Sequence, residues 1–394
     1  MDYIKTYEQD IIKGGTKYDK LDAIKKWTYK RFCEAPQNQT PVTIRNLQEW
    51  ALQAAMQYQS EKFHFQASAT WTKEFKRNFK IRQRKVTRFI KSTEKKSPEE
   101  ILINAKTFQN ECLEKIASMD LNYVFNTDQK GCEYHTDFKQ TLDHRGIKSV
   151  EVFLGDANKV THSYTVQYTV TASGKLLPKV FLCLQEAKGD FGPLVKKRVD
   201  ALVAQYKNVV VTASKSGKLT SSIFDTYTRE VLVPFVKDNK FTLILDSWGG
   251  QKDQDLYAKF NGSCNLIVRQ SCCTQYYQPL DVYFHRQAKI LIKELQNCTY
   301  LIEQGRQLNT REDAIRIQSI VHFLLSAPLF KEMIEYAWYA SKLITCRDEF
   351  MNVSQICFPE RPCKSNCSCN NRGFIKCSWC KIYFCFGCFY DVLS

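Results

Sequence analysis

No run of roughly 18 apolar residues occurs in the 394-residue sequence, so a membrane-spanning helix is not expected. The first ten residues, MDYIKTYEQD, lack the apolar region of a secretory signal. A soluble, intracellular chain with no membrane partner follows as the expectation. Acid is also in short supply, with 41 Asp and Glu against 57 Lys and Arg and a net charge of +16. The shortage is local: residues 73 to 96 hold 11 basic and 2 acidic side chains, an excess as large as that of residues 1 to 100 together. Such density favours a polyanion, with a solvated helix face as the ordinary alternative. Finally, the segment 357 to 388 contains no histidine, although eight of the seventeen cysteines fall there.

The basic patch lies on a helical pattern. Residues 18 to 34 place Leu21, Ile24, Trp27 and Phe32 at helical spacing. Residues 44 to 55, capped by Thr43, line Ile44, Leu47, Trp50, Ala51, Ala54 and Ala55 along one face. A third helix, with Ser68 as its cap, buries Trp71, Phe75 and Phe79 while exposing Lys73, Lys76, Arg77 and Lys80. An aromatic stripe opposite a basic stripe suits the recognition helix of a helix-turn-helix, and Arg82, Arg84, Lys85 and Arg88 extend it as a basic arm for phosphates or the minor groove. An ordinary amphipathic helix would show the same stripes.

Three aspartates stand at comparable places farther along. Phe241 to Leu245 reads as a buried strand running into Asp246, then Ser247, Trp248, Gly249 and Gly250. Leu121 to Phe125 reads as a strand followed by Asn126, Thr127 and Asp128, and Asp281 follows Pro279 at the start of an amphipathic helix with Val282, Ile290, Leu291 and Leu295. An aspartate after a strand is ordinarily a turn former or cap, so one alone carries little. Between them lie a strand near 149 to 154, a hairpin turning at Ser173 and Gly174, and a helix from about 220 to 236. Gln129, Trp248 and His285 flank the acids; packing is expected of Trp248 and a solvent-facing place of His285. Cys272 and Cys273 are expected to be buried packing residues.

The motifs NTDQ, TLILDSWGGQKD and QPLDV, together with TASKSGKLTSSIFDTYTREVLVPFV, resemble the pogo and mariner transposases across roughly residues 120 to 295. Asp246 and Asp281 leave 34 residues between them, the mariner-type spacing. The resemblance implies an α/β, ribonuclease-H-like catalytic core that cuts and joins DNA at Asp128, Asp246 and Asp281. Asp128 would be shared by two Mg²⁺ ions, with Asp246 on one and Asp281 on the other. It also implies double-stranded transposon-end and target DNA as partners, insertion at TA, a homodimer and a nuclear location. The stretch FQASATWTKEFKRNF with IRQRK resembles the centromere-protein-B type of helix-turn-helix that accompanies pogo-like enzymes. A domesticated DNA-binding protein without cleavage is the alternative; the three intact acids speak against it.

At the other end, Cys357, Cys363, Cys367, Cys369, Cys377, Cys380, Cys385 and Cys388 include two Cys-x-x-Cys knuckles, CSWC and CFGC. Thiolate pairs at that spacing can face one Zn²⁺, so eight sulfurs fit two ions, with the pairing open and a cross-brace one option. Such a tail looks more like that of piggyBac-type transposases. The expected domains are 1–92 (helix-turn-helix and basic arm), 93–118 (linker and helix), 119–350 (catalytic domain with a helical end) and 351–394 (zinc-binding module). So short a module buries little, and the metal is expected to supply most of its stability.

Overall fold

In the computed structural model the described residues are 15–37, 42–58, 60, 63–83, 98–134, 163–246, 248–251, 254–260, 262–268, 278–302, 308–360 and 363–392. The expected strand near 149 to 154, the Cys272–Cys273 pair and Arg84, Lys85 and Arg88 of the basic arm lie outside them. The chain divides into two compact units, Met1–Pro98 and Glu99–Ser394.

The first unit packs three helices, α1 (Lys17–Gln37), α2 (Ile44–Ala55) and α3 (Ala69–Asn78). Thr43 and Asn46 close a reciprocal capping box on α2, and the Ser68 hydroxyl accepts the Trp71 N–H at 3.1 Å on α3. Each cap satisfies amide donors that a helix start leaves without partners. Ile24, Leu47, Ala51, Trp71 and Phe75 are buried together. A run of rings from Phe65 through Trp71, Phe75 and Phe79 ends on Tyr29 of α1, with the last two centroids 4.1 Å apart. Ile44 departs from expectation and is half exposed.

In the second unit the strands β1 (Val124–Glu133), β2 (Ser163–Thr171), β3 (Val180–Gln185), β4 (Val209–Ser214), β5 (Phe241–Leu245) and β6 (Cys264–Val268) form one sheet in the order β4-β3-β2-β1-β5-β6. β2 runs antiparallel to both of its neighbours, β1 and β3, whereas β5 runs parallel to β1, β6 to β5 and β4 to β3. Both faces are covered, which explains the nearly continuous burial of β2 and β5. On one face Phe125, Phe181 and Leu243 meet Phe224, Tyr227 and Leu232 of α6, a helix made of Ser221–Tyr227, a π-turn Thr228–Leu232 and Val233–Val236. On the other, Tyr168, Val170 and Ile244 meet α4 (Pro98–Ala117), α7 (a π-turn Leu280–Phe284 leading into His285–Ile302), α8 (Arg311–Leu325) and α9 (Lys331–Ala340).

Three elements were not foreseen, one of them β6, which extends the sheet beyond β5. α5 (Pro193–Gln205) and β4 stand between the hairpin and α6 and add a parallel strand at the edge beyond β3. The hairpin turn needs its glycine: Gly174 has φ +80°, and a Cβ there would lie 2.6 Å from the Lys331 carbonyl oxygen.

The cysteine-rich end carries α10 (Val353–Cys357), the short antiparallel pair β7 (Ile375–Lys376) and β8 (Tyr383–Phe384), and a wide turn Gly387–Val392. It packs onto the helical part of the second unit. Ile375, Phe386, Phe389 and Tyr390 belong to the same buried cluster as Val321 and Leu324 of α8. Ser378 Oγ and Trp379 Nε1 donate to the carbonyls of Leu324 and Phe323, and Tyr390 donates to Asp313. The segment thus shares a core that its own length could not build.

Candidate active site and cysteine cluster

β1 is hydrogen-bonded to β2 as far as Glu133↔Ser163, but to β5 only as far as Asn126↔Ile244. Asp128 therefore sits in mid-strand, where β5 leaves its side. The sequence pattern places it beyond the strand's end; β2, forty residues away in sequence, supplies the partners that keep β1 extended. In a parallel pair, residues level with one another point to the same face, and one pleat past Asn126↔Ile244 come Asp128 and Asp246. Tyr168, level with Asp128 on the opposite side, belongs to the core under α7, so Asp128 stands on the α7 face.

Asn126 joins that face to α7. Fully buried, it accepts the Leu280 N–H at 3.1 Å and donates to the Ile244 carbonyl at 3.1 Å. It is thus tied to the residue immediately before Asp281 and to the one two before Asp246, and itself lies two before Asp128. Gln278 adds a 3.5 Å bond to the Thr127 carbonyl. Neither Asn126 nor Gln278 stood out in the sequence; the signal available was a polar residue inside an otherwise apolar strand. Behind the acids, the Thr127 hydroxyl accepts from Tyr227 and Gln167, each at 3.0 Å, on the opposite face of β1.

Carboxylate oxygens of Asp128 and Asp281 and a ring nitrogen of His285 all lie within 4.8 Å of one another. His285 Nε2 is 2.9 Å from Asp128 Oδ2, and Lys130 Nζ is 3.3 Å from Asp281 Oδ1. The expected solvent-facing place of His285 is corrected: it is 6% exposed, because α7 turns Phe284, Ala288 and Leu291 toward the sheet and His285 falls on the same side. Burial, and next the negative charge of Asp128, push the Asp281 carboxyl above its ordinary range, with Lys130 and His285 opposing. Two carboxylates held this close form a site that a divalent cation would relieve.

Asp246 is half-buried just past β5, its backbone carbonyl accepting from Gln251 at 2.9 Å, and its carboxylate lies outside the 4.8 Å group. Trp248 packs against the core under α6 as expected, and its ring occupies the space that a Cβ on Gly250 would need. Gln129 is half-buried, level with Gln167 of β2.

On α3, Lys73 and Arg77 are exposed opposite the buried Trp71 and Phe75, with Lys76 partly covered and Lys80 and Arg82 exposed beyond the helix. Among the cysteines, Cys367, Cys369, Cys385 and Cys388 bring their sulfurs within 4.8 Å of one another. Cys369 Sγ and Cys385 Sγ are 3.5 Å apart, close to the spacing of about 3.8 Å that four thiolates take around one zinc. Backbone N–H groups of Cys369 and Cys385 pull the Cys367 thiol down to about 6. Cys357, Cys363, Cys377 and Cys380 stay outside this quartet, and all eight of these cysteines are free thiols.

No family model and no curated protein matches the chain. Solved structures it is similar to include Mos1 transposase complexes. The Mos1 paired-end complex with the left transposon end matches at TM-score 0.40 and 9% identity, over 80% of this chain and 78% of that one. The catalytic domain of Mos1 mariner transposase matches at 0.33 and 8%, over 63% of this chain and 89% of that chain. A Mos1 paired-end complex with Mg matches at 0.35 and 8%, over 79% and 92%.

Proposed function

We propose that the chain is a DNA transposase whose catalytic acids are Asp128, Asp246 and Asp281. The observation that supports this reading is the Asn126 tie, which links the strand bearing Asp128 to Ile244, two residues before Asp246, and to Leu280, next to Asp281. Three strands with antiparallel neighbours, then, after α5 and β4, the helix α6 and the parallel strand β5 running to the second acid, are read as a ribonuclease-H-like core.

The donor set suits hard divalent ions, since carboxylate oxygens dominate it and Asp281 is burdened by Asp128. Asp128 would be shared between two Mg²⁺, with Asp246 and Asp281 on either side. When bound, such ions supply a more reactive water or 3′-hydroxyl and balance the charge of the phosphate undergoing attack. The protein's own contribution is to hold its carboxylates in place and to keep Lys130, 3.3 Å from Asp281, beside the site as a cation for a DNA phosphate.

The three-helix unit is read as a helix-turn-helix for transposon ends, contacting DNA through Lys73, Lys76, Arg77, Lys80 and Arg82 and continuing into Arg84, Lys85 and Arg88. Two ends must meet for cut-and-paste joining, which calls for a homodimer acting in the nucleus, with TA as the target step. Two Zn²⁺ would sit in the cysteine-rich end, one on Cys367, Cys369, Cys385 and Cys388 and the other on Cys357, Cys363, Cys377 and Cys380. The first quartet consists of the second and fourth cysteine pairs in chain order, the pattern of a cross-brace.

Incubating the full chain with terminal-repeat DNA and Mg²⁺ tests the reading. Strand nicking that disappears in Asp246→Asn, with DNA binding retained, is the expected result. Tight binding without nicking by the unmutated chain would select the domesticated binder instead.

A further inference from the structure

We infer that His285 is a nitrogen ligand at the position shared by Asp128 and Asp281, so that the two metal positions of the site differ in chemistry. The inference rests on the metal-dependent reading above and deepens it. Among the described residues, the group that closes within 4.8 Å around Asp128 contains one imidazole and two carboxylates rather than three carboxylates. The imidazole is placed deliberately by the fold. His285 lies four residues after Asp281 on α7, is 6% exposed, and directs Nε2 to within 2.9 Å of Asp128 Oδ2. Donors bound side by side on one ion at about 2.1 Å stand about 3 Å apart, so the present separation needs little adjustment to become a shared coordination shell. Tyr168 and Phe284 pack their rings about His285 at centroid distances of 6.3 and 6.2 Å and restrict its swing.

Chemistry separates the two positions. An ion between Asp128 and Asp246 meets oxygen alone and suits Mg²⁺. One held by Asp128, Asp281 and His285 meets a borderline nitrogen donor as well, which favours Mn²⁺ or Co²⁺ over Mg²⁺. The unequal pair arises because Asp281 and His285 share one helix face, while among the described residues no histidine is grouped with Asp246 past the end of β5.

The test uses the zinc-loaded full chain with Mn²⁺ as the probe, read by pulsed electron paramagnetic resonance. A nitrogen hyperfine coupling on bound Mn²⁺ is expected. It should change to the ¹⁵N pattern when the unmutated protein is labelled with ¹⁵N-histidine, a readout that needs no variant to fold. In His285→Gln the coupling should vanish and Mn²⁺ affinity fall about tenfold or more, with Mg²⁺ affinity changing less. The cysteine-rich end cannot supply the signal, as it holds no histidine between 357 and 388. Mn²⁺ bound without nitrogen coupling, or a coupling that persists in His285→Gln, overturns the inference and leaves the three acids standing. Absence of Mn²⁺ binding overturns both the inference and the metal-dependent reading.

Discussion

Replacing Asn126 with leucine tests how the three acids are held. The side chain is fully buried and makes two bonds, one to the Leu280 N–H and one to the Ile244 carbonyl, both 3.1 Å. Leucine is close in volume but can neither donate nor accept, so the substitution leaves a buried donor and a buried acceptor without this partner. Each such orphan costs about 1–3 kcal/mol, which puts the loss at about 2–6 kcal/mol if neither group finds water. The damage should be directional as well as global. The Leu280 amide, otherwise protected, should exchange its hydrogen far faster, while the amides of β3 and β4 keep their protection. Urea unfolding followed by tryptophan fluorescence measures the first quantity and site-resolved hydrogen exchange the second. A change in stability within about 0.5 kcal/mol, together with an unchanged Leu280 amide, would refute the idea that Asn126 ties β1 and β5 to α7.

Acid should weaken the fold through His322. Burial lowers its pKa to about 4, with Nε2 donating to the Leu177 carbonyl at 2.8 Å and Nδ1 accepting from Asn208 at 3.2 Å. The unfolded chain takes up this proton near 6.5 and the folded one only near 4, so stability is intact above that window and falls by up to about 3 kcal/mol as pH drops through it. His322→Gln should flatten that part of a stability–pH curve measured by urea unfolding. In Cys385→Ser the zinc content, read by atomic emission, should drop from two ions per chain to one, and Cys377→Ser should remove the other; loss of both ions from either variant would argue against two separate quartets. Lys73→Ala and Arg77→Ala should each weaken binding to all DNA sequences alike and lower the salt slope by about one for each phosphate left unneutralised, as fluorescence anisotropy at several salt concentrations would show.

Local features of the chain were legible without a structure because their causes are local. The caps at Thr43 and Ser68 depend on a hydroxyl and an amide three residues on, and each was readable at its helix start. The aromatic face of α3, the apolar run of β5 and the Pro279 start of α7 followed from spacing alone. The CFGC knuckle likewise brings Cys385 and Cys388 together with no help from distant residues.

What the tertiary structure decided involves partners far apart in the chain. The length of β1, and with it the mid-strand place of Asp128, depends on β2. The inward turn of His285 depends on how α7 packs against the sheet, a choice that its own sequence, polar at that position, does not express. The selection of Cys367 and Cys369 as companions of the CFGC pair rests on a pairing between β7 and β8 that local spacing leaves open. Short-range hydrogen bonds and periodicity are written in neighbouring residues; the meeting of Asp128 with Asp281 and His285 is set by sheet register and helix packing across 150 residues or more.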